Sequence, residues 1–421
     1  MDLLVAQRLQ LDRQVSHWEA AAEALRKPED FASPTAWQAL EVSIDRAVRR
    51  SLEASTSQLR REAAGLRVQL QCAHSQSELT AVTRRLQRLR RFYLQVETVV
   101  AFYAEAVNTR TSPRMAAHLR ALDKIAELSM SSVLTPLGRS TPPTVTYADE
   151  TLGAAILRAG VRLWDGSLSP AAAIKLARHN LYRPTSLLHE TGHQVAHLLG
   201  WNEEVRRAVR RRLSADPDLA DLWESWVSEI TADAYAFAHC GYGAVAALHD
   251  VVANEPAMVM RLVPGDPHPV AWIRVLLGTE MCVQFYGAGP WNELAMAWKA
   301  THPLSCTSPA VASLLERSEP HLASLVDVLL NSPLTAFGGR GLSALVDPMR
   351  VSPTALTALA GAAGESLFVS PYWAHAEPIR IMALISERIA LDPARTVHYT
   401  EQFEAFARLL AAPAATAAAA V

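Results

Sequence analysis

The chain has 421 residues, of which 50% are hydrophobic and 19% charged, with a formal net charge of -2. That length fits two or three domains, the composition excludes a disordered chain, and the charge balance excludes a global basic field for nucleic acid. No window of about 18 uncharged apolar residues occurs, so no membrane span is expected. The first twenty residues read as an amphipathic helix without the basic and apolar regions of a signal peptide, and the expected location is the cytoplasm.

The four cysteines, Cys72, Cys240, Cys282 and Cys306, form no CxxC pair and no disulfide framework, and are expected to be buried reduced thiols.

Leu40, Ile44, Val48, Leu52, Leu59, Leu66 and Leu70 form one apolar stripe at helical spacing. Leu79, Val82, Leu86, Leu89, Tyr93, Val96, Val100 and Tyr103 form a second, alternating steps of three and four as in an a/d seam. The polar stretch CAHSQSE lies between them. The spacing predicts a long antiparallel helical hairpin against which the N-terminal helix packs. Arg84, Arg85, Arg88, Arg90 and Arg91 decorate its second helix. They read either as a solvated face or as a surface for an acidic protein partner. Nucleic acid fits less well, since no matching array of stacking aromatics accompanies them.

Prolines and a glycine in TPLGRSTPPTVTYADE break the helical pattern, and a boundary is placed near residue 130. Residues 154–165 then alternate, with Leu157, Ala159, Val161 and Leu163 on one face, which predicts a strand ending at Asp165-Gly166. A second strand is expected over 173–179. After about residue 300 short helical segments are separated by Pro and Gly, and the chain ends in a low-complexity Ala-rich tail expected to fray. The expected fold is mainly α with a small mixed β-sheet (α+β). Its expected domains are a helical hairpin over 1–130, a central domain over 131–300 and a helical region over 301–421.

The central domain carries the chemistry. His189 and His193 are four residues apart in LLHETGHQVAHLLGW, so a helix places both imidazoles on one face, as two ligands of one tetrahedral ion require. Glu190 completes H-E-x-x-H, where the glutamate is a base acting on metal-activated water. Pro184, Thr185 and Ser186 mark the helix start and Gly200 its end. Gly192 allows close approach of another helix. His197 lies eight residues from His189, rotated about 80° away, and reads as structural. Glu203 and Glu204 follow the Gly200 break with undefined geometry. The better third ligand is Glu229, which shares a helix face with Asp233 in WVSEITADAYAFAHCGYG. Two carboxylates on so apolar a helix are costly to bury unpaired. Glu229 bound to the metal and Asp233 accepting the free N–H of a liganding imidazole would satisfy both.

HExxH followed by E-x-x-A-D resembles the gluzincin metallopeptidases. Further on, His268-Pro269 and Arg274 are similar to the HP-x4-R stretch of the CAAX prenyl protease and heat-shock membrane metalloprotease group. Together these motifs span roughly residues 150–290. The resemblance implies a zincin-like core, with His268 lining the cleft and steadying an oxyanion, and Arg274 pairing with a nearby acid. That group is built into membranes, whereas this chain has no expected span, so the resemblance is carried to the zinc chemistry and not to the substrate.

The expectation is a zinc endopeptidase with one Zn²⁺ per chain held by His189, His193 and Glu229, Glu190 as general base, and a peptide or protein as substrate. The alternative is a non-catalytic binding or delivery protein, or a secreted effector, that uses the same scaffold and works through the hairpin.

Overall fold

A computed structural model describes residues 3–150 and 153–412. The molecule is mainly α with one small mixed sheet of three strands. Contacts divide it into two compact units, Met1–Arg120 with Pro142–Tyr147 and Leu157–Ala173, and Ala121–Thr141 with Ala148–Ile156 and Ile174–Val421. Each has its own hydrophobic core.

In the first unit, helices α1 (Leu3–Ala24), α2 (Val42–Cys72) and α3 (Gln76–Asn108) pack together. The α2–α3 hairpin is the one that the two stripes predict. Ile44, Val48, Leu52, Leu59, Leu66 and Leu70 are buried against Leu79, Val82, Leu86, Leu89, Val96, Val100 and Tyr103. The polar turn between them is a capping box. Ser75 Oγ accepts from the Glu78 N–H at 3.3 Å, and the Glu78 carboxylate accepts from the backbone of Ser75 and His74 at 2.8 and 2.7 Å.

Helix α4 (Pro113–Leu134) runs through residue 130, and the break comes after it, where Gly138 takes a left-handed conformation (φ 68°). The sheet comprises β1 (Thr144–Asp149), β2 (Ala155–Leu157) and β3 (Ala172–Ala177) in the order β1-β3-β2. Strand β3 corresponds to the segment expected over 173–179, while β1 falls where the sequence shows only a helix break.

The long strand expected over 154–165 is corrected. Only its first residues pair, as β2. The rest doubles back on itself, with Gly160 at φ 80°, antiparallel bridging of Arg162 to Leu168, and the Leu163 N–H donating to Ser167 O at 2.8 Å. The alternation is real, but a residue with φ above zero interrupts an extended run. Asp165-Gly166 closes the turn, with Asp165 Oδ1 accepting from the Ser167 N–H at 3.0 Å.

In the second unit, α5 (Thr185–Leu199) starts after Pro184 and ends at Gly200 (φ 68°). It is followed by α6 (Trp201–Arg212), α7 (Val227–Cys240), α8 (Tyr242–Val252) and α9 (Ala271–Tyr286). Helix α10 (Pro378–Leu391) packs on α7 and α8. The arginines of α6 hold its own neighbourhood together: Arg206 pairs with Glu203, and Arg210 bonds to both Asp221 and Glu224 at 2.7 Å.

No described helix is long and apolar enough to cross a membrane. Cys240 and Cys282 are buried, but Cys72 and Cys306 are exposed, contrary to the expectation of four buried thiols. Of the Ala-rich tail, residues 413–421 lie outside the described residues.

Candidate metal centre

Helices α5 and α7 cross at Gly192. A Cβ on that glycine would lie 3.0 Å from both Ala232 Cα and Tyr235 Cβ, so any larger residue would push the two helices apart by a few tenths of an ångström. This crossing brings His189, Glu190 and His193 of α5 up to Glu229 and Asp233 of α7.

His189, His193 and Glu229 form a group that could hold a metal ion. The two imidazole Nε2 atoms are 3.1 Å apart; that of His189 lies 3.3 Å from Glu229 Oε2 and that of His193 lies 3.3 Å from Glu229 Oε1. Donors about 2.0–2.1 Å from a tetrahedral zinc ion sit about 3.3 Å from one another. The nitrogen–nitrogen distance and both nitrogen–oxygen distances are close to that edge, with the two imidazoles facing opposite oxygens of one carboxylate, and two histidines with a carboxylate are a donor set that zinc accepts.

The surrounding residues fix this arrangement. Asp233 Oδ1 accepts from His189 Nδ1–H at 2.9 Å, which turns Nε2 towards the centre. Arg274 of α9 grips Asp233 through Nε and Nη2 at 2.7 and 2.8 Å, and its Nη2 reaches Glu229 at 3.4 Å. Ser228 Oγ lies 3.3 Å from His193 Nδ1.

Burial would by itself favour a neutral His189, but its hydrogen bonds to Asp233 and Glu229 outweigh that and hold its pKa up to about 10. Burial would likewise favour protonated carboxyls, yet Arg274 and His189 hold Asp233 down to about 2, and His189 and His193 hold Glu229 well below the usual carboxylate range. The charges that favour a proton on His189 also favour a cation beside it.

Glu190 is buried, and burial pushes its pKa up. It makes no hydrogen bond or ion pair among the described residues, and its side chain lines the same cleft as His189 and Glu229. That cleft, of about 260 Å³, is lined by His189, Glu190 and Glu229 together with apolar Phe237, Val245, Leu248, Leu277, Gly278 and Met281. Gly153 and Ala154, immediately before the edge strand β2, also line it.

His268 lies on the loop before α9 with its side chain 58% exposed, lines the cleft, and places Nε2 3.6 Å from Glu229 Oε2. Its ring is oriented by Asp266, whose Oδ1 accepts from Nδ1–H at 2.7 Å and from the His268 backbone N–H at 3.0 Å. Sequence reasoning missed Ser228 and Asp266. The Asp-x-His spacing is a local signal for Asp266, whereas nothing local marks Ser228.

The other histidine and acids weighed as ligands lie elsewhere. His197 is exposed, Glu203 pairs with Arg206, and Glu204 accepts from the Thr335 and Ala336 N–H groups at 2.7 and 2.9 Å.

The chain matches no protein-family model, no curated protein and no solved structure.

Proposed function

We propose that the chain is a zinc-dependent peptidase of gluzincin type. The observation that carries this reading is the convergence of His189, His193 and Glu229 beside Glu190, a carboxylate that makes no hydrogen bond or ion pair among the described residues and lines the same cleft. A purely structural zinc site has four protein ligands and no use for such a glutamate.

His189, His193 and Glu229 hold the ion, which when bound supplies Lewis acidity towards water and a carbonyl oxygen. Glu190 takes a proton from the attacking water and returns it to the leaving amine, and its burial raises its proton affinity towards what that double role needs. As the imidazolium, with Nδ1–H on Asp266, His268 offers its Nε2–H to the developing oxyanion. Asp233 and Arg274 keep His189 in its liganding tautomer. A substrate in extended form adds to the edge strand β2, with an apolar side chain against Phe237, Val245 and Leu277.

The test is metal analysis of the purified protein beside cleavage of an unfolded protein. Wild type is expected to hold one zinc and to cleave in a chelator-sensitive way. His189→Ala and His193→Ala are expected to lose both properties, and Glu190→Gln to keep the zinc and lose cleavage. Zinc retained by both histidine variants refutes the site. Undiminished cleavage by Glu190→Gln refutes the mechanism.

A further inference from the structure

Helices α2 and α3 carry eleven arginines against six acids, a net charge of +5 within a chain whose total is -2. Most of the acids around the hairpin are already engaged by α2. Arg49 pairs with Asp45 at 2.7 Å and also with Glu29, Arg60 with Glu23 at 2.6 Å, and Arg67 with Glu19 at 2.6 Å and also with Asp12. On α3, among the described residues, only Arg85 finds such a partner, Glu62 at 3.2 Å. Arg84, Arg88, Arg90 and Arg91 are exposed and have no ion-pair or hydrogen-bond partner among the described residues.

Arg84, Arg88 and Arg91 follow one another at steps of four and three, so their guanidinium groups form a ridge along one face, about 10 Å from end to end. A groove of about 670 Å³ borders the ridge on the α1 side, lined by the amides of Gln7, Gln10, Gln14, Gln76 and Gln87. A second groove, of about 590 Å³, borders it on the α2 side and includes Gln58, Gln69 and Phe92. Unlike Arg46 and Arg50 of α2, which are also unpaired among the described residues, this row lies between two troughs lined with hydrogen-bonding side chains.

The geometry points to a docking surface for an acidic protein helix whose carboxylates recur at i, i+4 and i+7. Those carboxylates match the arginine steps, and each guanidinium can take one in a forked pair. The flanking glutamines satisfy the polar residues beside them. A nucleic-acid strand fits the surface less well: Phe92 is the only ring along the grooves, and the Glu62 carboxylate stands in one of them.

The experiment is fluorescence anisotropy of the full chain with a labelled helical peptide bearing glutamates at i, i+4 and i+7, and with a labelled single-stranded oligonucleotide at the same salt. Arg88→Gln/Arg91→Gln is compared with Arg46→Gln/Arg50→Gln, which removes the same charge from two exposed, unpaired arginines of α2. The ridge variant is expected to weaken peptide binding about tenfold and the control less than about twofold. The proposal is overturned if the peptide does not bind, if both variants lose affinity equally, or if the oligonucleotide binds more tightly than the peptide. All four positions are exposed, and unchanged thermal unfolding of both variants separates a lost contact from a lost fold.

Discussion

The Asp233 carboxylate is held from two sides: Oδ1 accepts from His189 Nδ1–H at 2.9 Å, while Arg274 clamps both oxygens at 2.7 and 2.8 Å. His189 is therefore oriented not by its own helix but by a relay running through α7 to α9. Removing either member of the relay frees the imidazole to rotate and to exchange tautomers.

Asp233→Ala is expected to weaken zinc affinity about 10- to 100-fold while leaving all three donors in place. Arg274→Lys should produce part of the same loss, because an ammonium cannot reproduce the forked grip. Competition with a chromophoric chelator measures both. Zinc affinity unchanged in Asp233→Ala would mean that the relay does not tune the ligands.

Gly192→Ala should gain about 1 kcal/mol in helix propensity and nevertheless destabilise the protein, since overpacking typically costs about 1–3 kcal/mol. The contacts at 3.0 Å include the Ala232 Cα, which is backbone and cannot rotate aside. Gly361→Ala is the matched control, because a Cβ there meets nothing within 4 Å. Denaturant unfolding should show the two substitutions shifting stability in opposite directions, with zinc affinity falling only for Gly192→Ala.

Glu387 of α10 is buried, and that burial pushes its pKa from the ordinary 4.5 up to about 7. The folded state thus holds this proton more tightly than the unfolded chain. The associated stability is fully present below about pH 4.5 and is lost as pH rises through about 7. The gap corresponds to roughly 3 kcal/mol. Unfolding of Glu387→Gln measured across this window should lack that decline, and a decline identical to wild type would exclude Glu387 as its source.

The hairpin and the arrangement of the metal-facing residues were legible because helical periodicity alone decides which side chains share a face. The seam from Leu79 to Tyr103, the pairing of His189 with His193, and that of Glu229 with Asp233 all arise from steps of three and four. The need for glycine at position 192 was also readable, since a glycine inside an otherwise well-formed helix calls for a packing reason. The strand reading failed at Gly160, because alternation reports which way side chains point and not whether the chain stays extended. Strand β1 was hidden by the prolines before it, which mark the end of a helix but carry no signal for a strand. Ser228 joins the site only through the crossing of α5 and α7, a tertiary event that leaves no local trace.

The crossing at Gly192 also bears on how the chain folds. All three donor residues lie on two helices, and only 36 residues separate His193 from Glu229. Closing a flexible loop of that length costs about 3 kcal/mol in chain entropy. The intervening stretch is not flexible in the folded protein, since α6 and the helix Pro217–Ser225 occupy most of it. A bound ion would act as a cross-link across this short loop, tying α5 to α7 with no ligand from beyond Glu229.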